Sequence, residues 1–246
     1  FELPEYQDSL VQCITAANPN TVVLLNAGGN VDMSKWIDKV PSLLHLWYAG
    51  QEGGTAVAEI LFGKVNPSGK LPISFEKKWE DNPAYPYYYD VDGDKRVEYK
   101  EGLFIGYRHY DVSETKPQFA FGYGMSYTTF KYSDLRIDRE KGRDLVVKIR
   151  FTVKNTGKHD GAETAQVYIR PINPKVERPY KELKGFAKHF IRKNTVQEIE
   201  ITLDKDAFSY YKTELKDFDY DAGSYEVLVG SASDDIRLRK VIQIEK

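Results

Sequence analysis

The sequence predicts an α/β segment built on a partial parallel sheet, followed by an all-β sandwich. Two continuous β-rich runs, 21–25 and 42–48, alternate with helically spaced segments in the first quarter of the chain. After Tyr127 the texture changes to about seven short strands of alternating hydrophobicity in roughly 115 residues. Between these regions periodicity fades, and Pro, Gly and Tyr dominate.

The elements follow in order. Leu10, Val11, Ile14 and Ala17 fall at helical spacing, and Asn18-Pro19-Asn20 breaks the pattern, so a helix is expected over 5–17. The run 21–25 ends in Asn26-Ala27-Gly28-Gly29, as a buried strand entering a turn does. A short helix over 34–40, a second strand over 42–48, a glycine-rich turn at 50–54 and a helix over 55–62 complete an α/β unit. Only two strands are visible where an open α/β sheet has about five. The missing strands are expected upstream of Phe1, and a start on Phe1 with no signal-peptide layout reads as a piece of a longer protein.

Residues 73–128 are expected to be an irregular linker packed across both domains, with 1–72 before it and 129–246 after it. The seven expected strands are 132–137, 145–153, 163–169, 181–190, 196–203, 224–229 and 236–244. Turn signals separate them, among them Asn155-Thr156-Gly157 and Asp221-Ala222-Gly223. That count indicates an immunoglobulin-like sandwich, and the absence of a cysteine pair makes it fibronectin III-like.

Composition narrows the function. The 246 residues carry 35 basic against 37 acidic side chains, a net charge of -2. No Lys/Arg block could track a phosphate backbone, so nucleic acid is not an expected partner. No apolar run approaches the roughly 20 residues of a membrane-spanning helix. Cys13 is the one cysteine, and no Cys/His cluster has metal-ligand spacing. The 18 Tyr, 12 Phe and 3 Trp suit either sugar stacking or ordinary packing, and packing is the commoner use.

Several motifs fail on inspection. Gly28-Gly29 lacks the third glycine of a dinucleotide turn. In 63–70 the spacing is one residue too long for a P-loop, and Leu71 stands where a Ser or Thr should reach magnesium. Asp90, Asp92, Asp94 and Glu101 match positions 1, 3, 5 and 12 of a calcium loop, but Lys95 replaces its glycine and a hairpin turn explains the same residues; no metal site is expected. Gly122 to Ser126 lacks the closing glycine of a nucleophile elbow. His45, His109, His159 and His189 have no local Ser or Cys partner. No cofactor is expected.

Taken together, the runs ANPNTVVL (17–24), WYAGQEGG (47–54), LFG (61–63), NPSGKLP (66–72), EGLFIGYR (101–108) and FGYGMSYT (121–128) resemble family 3 glycoside hydrolases, in family order. VKNTG (153–157), DGAE (160–163), RPYKELKGF (178–186) and VGS (229–231) extend the resemblance through the sandwich. It implies a retaining, exo-acting β-glucosidase acting on terminal β-D-glucosyl residues of an oligosaccharide or β-glucoside. β-Xylosidase or another family specificity, or a non-catalytic binding module, are the alternatives. In that family the nucleophilic aspartate lies on an N-terminal (β/α)8 barrel, against which this chain would pack. The acid/base glutamate closely precedes the Leu-Pro that matches Leu3-Pro4. The resemblance therefore places no catalytic residue in this chain and implies that it is inert alone. Glu52, the acid within WYAGQEGG, reads as structural. Tyr107 and Arg108 are the candidate substrate-binding residues: flanking Phe104 and Tyr110 favour a mostly buried guanidinium fork near the domain junction, with a hydrogen-bonded partner. Periplasmic or secreted placement is expected by analogy with the family.

Overall fold

A computed structural model describes residues 1–4, 6–140 and 145–246. It shows an α/β unit and a β-sandwich, as the hydrophobic patterns require. The chain divides into two compact units. The first holds Phe1–Val65, Ser74–Gly106 and Ser113–Phe119; the second holds Asn66–Ile73, Tyr107–Val112 and Ala120–Lys246. The stretch expected as a linker is thus shared out, and the chain passes from one unit to the other five times.

In the first unit, helix α1 (Gln7–Ala17) precedes β1 (Val22–Leu25), β2 (Ser42–His45) and α2 (Gly53–Leu61). β1 and β2 pair in parallel, Val22 opposite Ser42 through Leu25 opposite His45. The expected helix start at Glu5 lies outside the described residues. Three expectations change. The helix expected over 34–40 is a 3-10 turn, Ile37–Lys39, because Asp32 Oδ1 caps the Ser34 amide (2.8 Å) and tightens the entry. β2 stops at His45, since Trp47 takes a left-handed φ of 53° that no strand continues through. Gly53 and Gly54, expected in a turn, open α2 instead.

Trp36 and Met33 are each 1% exposed at the centre of this unit. Asp8 accepts from Trp36 Nε1 (3.0 Å) and Lys35 Nζ (2.8 Å), tying α1 to them. Phe75 bridges Phe119 in antiparallel sense. Yet several of the apolar residues that make α1 and β1 legible are not covered: Leu10 is 57%, Ile14 47%, Val22 42% and Leu24 43% exposed. Two single helical turns follow, α3 (Tyr85–Tyr88) in the first unit and α4 (Tyr107–Tyr110) in the second.

The sandwich strands are β3 (Phe130–Arg139), β4 (Val147–Asn155), β5 (Gly161–Pro171), β6 (Glu182–Ile191), β7 (Val196–Leu203), β10 (Gly223–Gly230) and β11 (Ile236–Ile244). A small hairpin, β8 (Tyr210–Lys212) with β9 (Asp217–Asp219), lies between β7 and β10. One antiparallel sheet has the order β11-β10-β5-β6 and the other β3-β4-β7. Period-2 alternation sends Val147, Ile149, Phe151 and Val153 of β4 inward to meet Ala165, Val167 and Ile169 of β5. Each large aliphatic side chain removed from water there contributes about 1.5–3 kcal/mol.

Candidate functional site

Two places carry the residues singled out by sequence. The first is the carboxyl end of β1 and β2, where open α/β sheets hold ligands. His45, the last residue of β2, sits with Nε2 3.1 Å from the Gly29 carbonyl while its Nδ1 accepts the Trp47 amide (3.2 Å). With Nδ1 accepting the Trp47 amide, Nε2 is the ring nitrogen left to donate to the Gly29 carbonyl. The ring also packs on Trp47 (4.4 Å between centroids) and Phe75 (5.3 Å). These contacts hold Trp47 in its left-handed conformation, which costs on the order of 1–3 kcal/mol for a non-glycine residue. Tyr48 then lies across Gly28, where an added Cβ would meet its ring at 2.7 Å; this is why a glycine follows β1. Leu24, Asn26, Leu46, Tyr48, Gly50 and Val57 line a cavity of about 520 Å³ beside it. Glu52 precedes α2 and accepts from the Thr55 hydroxyl (3.0 Å), a helix-end contact.

The second place is α4 on the sandwich. Tyr107 Oη accepts the Leu183 amide (2.8 Å), and its ring lies 5.0 Å from Phe121 and 5.8 Å from Tyr168. Arg108 Nη2 donates to Glu182 Oε1 (3.3 Å). The expected partner is present, and the Arg108 side chain is 31% exposed, with the larger part of it buried.

Sequence reading missed the groups that complete this cluster. Glu182 is also bound by Arg178 (2.9 Å) and approached by Lys184 (3.5 Å), while Lys181 bonds Asp111. Arg178 donates in addition to the Phe208 carbonyl (3.1 Å). The RPYKELKGF run carries four of these residues, but their partners on 107–112 lie about 70 positions upstream, beyond any local pattern. Burial by itself would raise the Glu182 pKa; Lys184, Arg178 and Arg108 outweigh it and hold the carboxyl below the usual range. A depressed folded-state value means that the unfolded chain takes up the proton first, so the cluster's stabilisation is full above about pH 4.5 and is lost as pH falls through the folded value. Thermal melts between about pH 3 and 6 are expected to show a steeper acid loss of stability in the native protein than in Glu182→Gln. Parallel curves would remove Glu182 from the acid response.

The remaining motifs have plain structural settings. Asp90, Asp92 and Asp94 are exposed and lie together. Asp90 caps the amides of Gly93 (2.8 Å) and Lys95 (3.0 Å), and Asp94 caps Arg96 (2.8 Å). The segment is a series of Asx turns and not the expected hairpin, for no described strand flanks it. Gly122 packs against the Gln166 amide, and Cys13 is exposed.

Comparison with known proteins agrees across the whole chain. The model of the glycosyl hydrolase family 3 C-terminal domain matches residues 1–127, and that of the fibronectin type III-like domain matches residues 163–233. Thermostable beta-glucosidase B of Acetivibrio thermocellus is 43% identical over 245 residues, covering 99% of this chain and 32% of that protein. A beta-glucosidase of Kluyveromyces marxianus, solved in complex with glucose, superposes with a TM-score of 0.93 at 42% identity, over 100% of this chain and 29% of that one. Beta-glucosidase 3B of Thermotoga neapolitana, also solved with glucose, gives a TM-score of 0.91 at 32% identity, over 100% and 34%. The chain spans about a third of the length of the relatives it matches.

Proposed function

The chain belongs to glycosyl hydrolase family 3, and from that premise we propose that it is the C-terminal part of a retaining, exo-acting β-glucosidase. The observation that carries the reading is coverage: proteins named beta-glucosidase match 99–100% of the chain at 42–43% identity, through both units in one order. The exposed apolar faces of α1 and β1 support it, because Leu10, Ile14, Val22 and Leu24 are the surface a longer α/β domain would bury.

Retaining hydrolysis places two carboxyl groups about 5–5.5 Å apart, one attacking the anomeric carbon and the other protonating the leaving oxygen. By family resemblance the attacking aspartate belongs to the barrel, and the acid/base glutamate to the segment just ahead of Leu3-Pro4. This chain then contributes scaffold. β1 and β2 bring their carboxyl ends together through His45, and the sandwich is fastened by Tyr107, Arg108 and Asp111. Tyr107 and Arg108 act as anchors of α4 in this reading, since both spend their polar groups on the sandwich.

The test compares the full-length protein with this chain alone. The full-length protein is expected to hydrolyse 4-nitrophenyl β-D-glucoside, with proton NMR showing β-glucose as first product, and the chain alone to show no turnover. Preference for the xyloside, α-glucose as first product, or turnover by the isolated chain would each overturn the proposal.

A further inference from the structure

The cations of the sandwich are divided unevenly. Several are neutralised: Arg150 bonds Glu200 (2.6 Å) and Asp138 (2.7 Å), Arg178 bonds Glu182, and Lys212 bonds Asp221 (2.7 Å). At one end of the sandwich they are not. Lys131, Lys154, Lys158, Lys188, Arg192 and Lys193 are all exposed, and among the described residues none has a carboxylate within ion-pair distance.

The fold gathers them from three separate stretches. Lys131 and Lys154 stand directly opposite each other on β3 and β4. The β4–β5 and β6–β7 turns are clamped side by side, because Asn155 Nδ2 donates to the His159 carbonyl (2.8 Å) and the Ile191 carbonyl (2.9 Å), and Asp160 accepts the Lys193 amide (2.7 Å). The exposed carboxylates nearest in the register are Asp160, engaged in that bond, and Glu198, placed beyond Lys154 on β7 beside Arg150. Like charges directly opposite on neighbouring strands are destabilising. A chain with net charge -2 therefore holds a positive pole whose six cations are not ion-paired among the described residues, with Asp160 lying among them.

Beside the pole, β6 alternates charge and ring on its outer face. Phe186 and Phe190 are 69% and 64% exposed and flank Lys188; Phe190 stands opposite the small Ala162, Lys188 opposite Thr164 and Phe186 opposite Gln166. The two rings are four residues apart, about 13 Å along a strand, which suits an extended polymer better than a small anion.

We propose that this pole is a docking surface for an acidic polysaccharide bearing carboxylates, whose charges meet Lys158, Lys188, Arg192 and Lys193 while pyranose faces stack on Phe186 and Phe190. The choice of a glycan among polyanions rests on the glycosidase reading; the charge pattern itself does not.

The experiment uses the full-length protein on immobilised polygalacturonate. Wild-type protein is expected to be retained at low salt and released by about 0.5 M NaCl, where charge screening is nearly complete. The variant K158E/K188E/K193E is expected to bind at least about tenfold more weakly, with unchanged melting temperature and unchanged hydrolysis of 4-nitrophenyl β-glucoside. Activity on the soluble glucoside reports on the proposed reaction and retention reports on the pole, so either can fail alone. Wild-type protein that is not retained, a charge-reversed variant retained equally, or elution by single-stranded DNA or phosphatidylserine vesicles at lower charge concentration than free polygalacturonate would overturn the proposal.

Discussion

Asn155→Leu will lower the melting temperature of the sandwich by roughly 10 °C or more, the largest effect expected from one side chain in this protein. Asn155 is fully buried, and its amide uses its whole bonding capacity. Oδ1 accepts from Thr128 Oγ1 (2.6 Å) and the Gly157 amide (3.1 Å), and Nδ2 donates to the His159 and Ile191 carbonyls. Leucine preserves the volume and orphans four polar groups. Each orphan costs about 1–3 kcal/mol when water cannot reach it. With partial rehydration at the turns, a total of about 4 kcal/mol is expected, a large share of a domain's 5–15 kcal/mol. Asn155→Asp keeps both acceptor contacts but sets an oxygen against the His159 and Ile191 carbonyls in a fully buried site, and is expected to lose at least as much. Differential scanning calorimetry decides the matter, and a shift under about 3 °C for Asn155→Leu would show that the amide is not the hub its contacts imply.

Residues 129–246 expressed alone will not give a cooperatively folded sandwich, whereas 66–246 will. Excision at 129 removes the Tyr107 ring from Tyr168 together with the Phe121 ring that packs on Tyr107, and removes the Gly122 carbonyl that accepts from Gln166 Nε2 (3.3 Å). It also takes Asp111 from Lys181 and Lys70 from Glu163, two charged side chains that are each 4% exposed. Removing one partner from a buried ion pair costs about 3–5 kcal/mol. Two such losses consume most of the stability of a domain this size. Circular dichroism of 129–246 is expected to keep strand signal and lose near-ultraviolet structure, with dye binding to the exposed core. A sharp melt within about 5 °C of that of 66–246 would refute the dependence.

What was legible in the sequence follows the range of the forces involved. β4 could be read because Val147, Ile149, Phe151 and Val153 alternate strictly with polar residues, and burial on one face of a strand writes that period into the chain. α1 could be read from Leu10 and Ile14 even though neither is covered in this structure. The end of β2 could not, because Trp47 leaves the strand through a left-handed conformation that its side chain does not announce. Nor could the hairpin of β8 and β9, whose strands are three residues each and too short for a period. Arg108 was singled out for its aromatic neighbours, and the structure supplies its partner in Glu182, 74 positions on. The positive pole was invisible for the same reason: its lysines are scattered from 131 to 193 with acids between them, and only strand register sorts them to one end.

The five passages between the units bear on how such a protein can be inherited. A single genetic crossover exchanges one continuous stretch, while the sandwich is assembled from three, with two pieces of the other unit spliced between them. A hybrid joined at 128/129 would receive β3 to β11 from one parent and Lys70, Tyr107 and Asp111 from the other. Such a hybrid stays sound only if both parents agree at every one of those positions. The sandwich is thus expected to travel through descent with the segment from Asn66 onward as one block, and not to be traded as a module on its own.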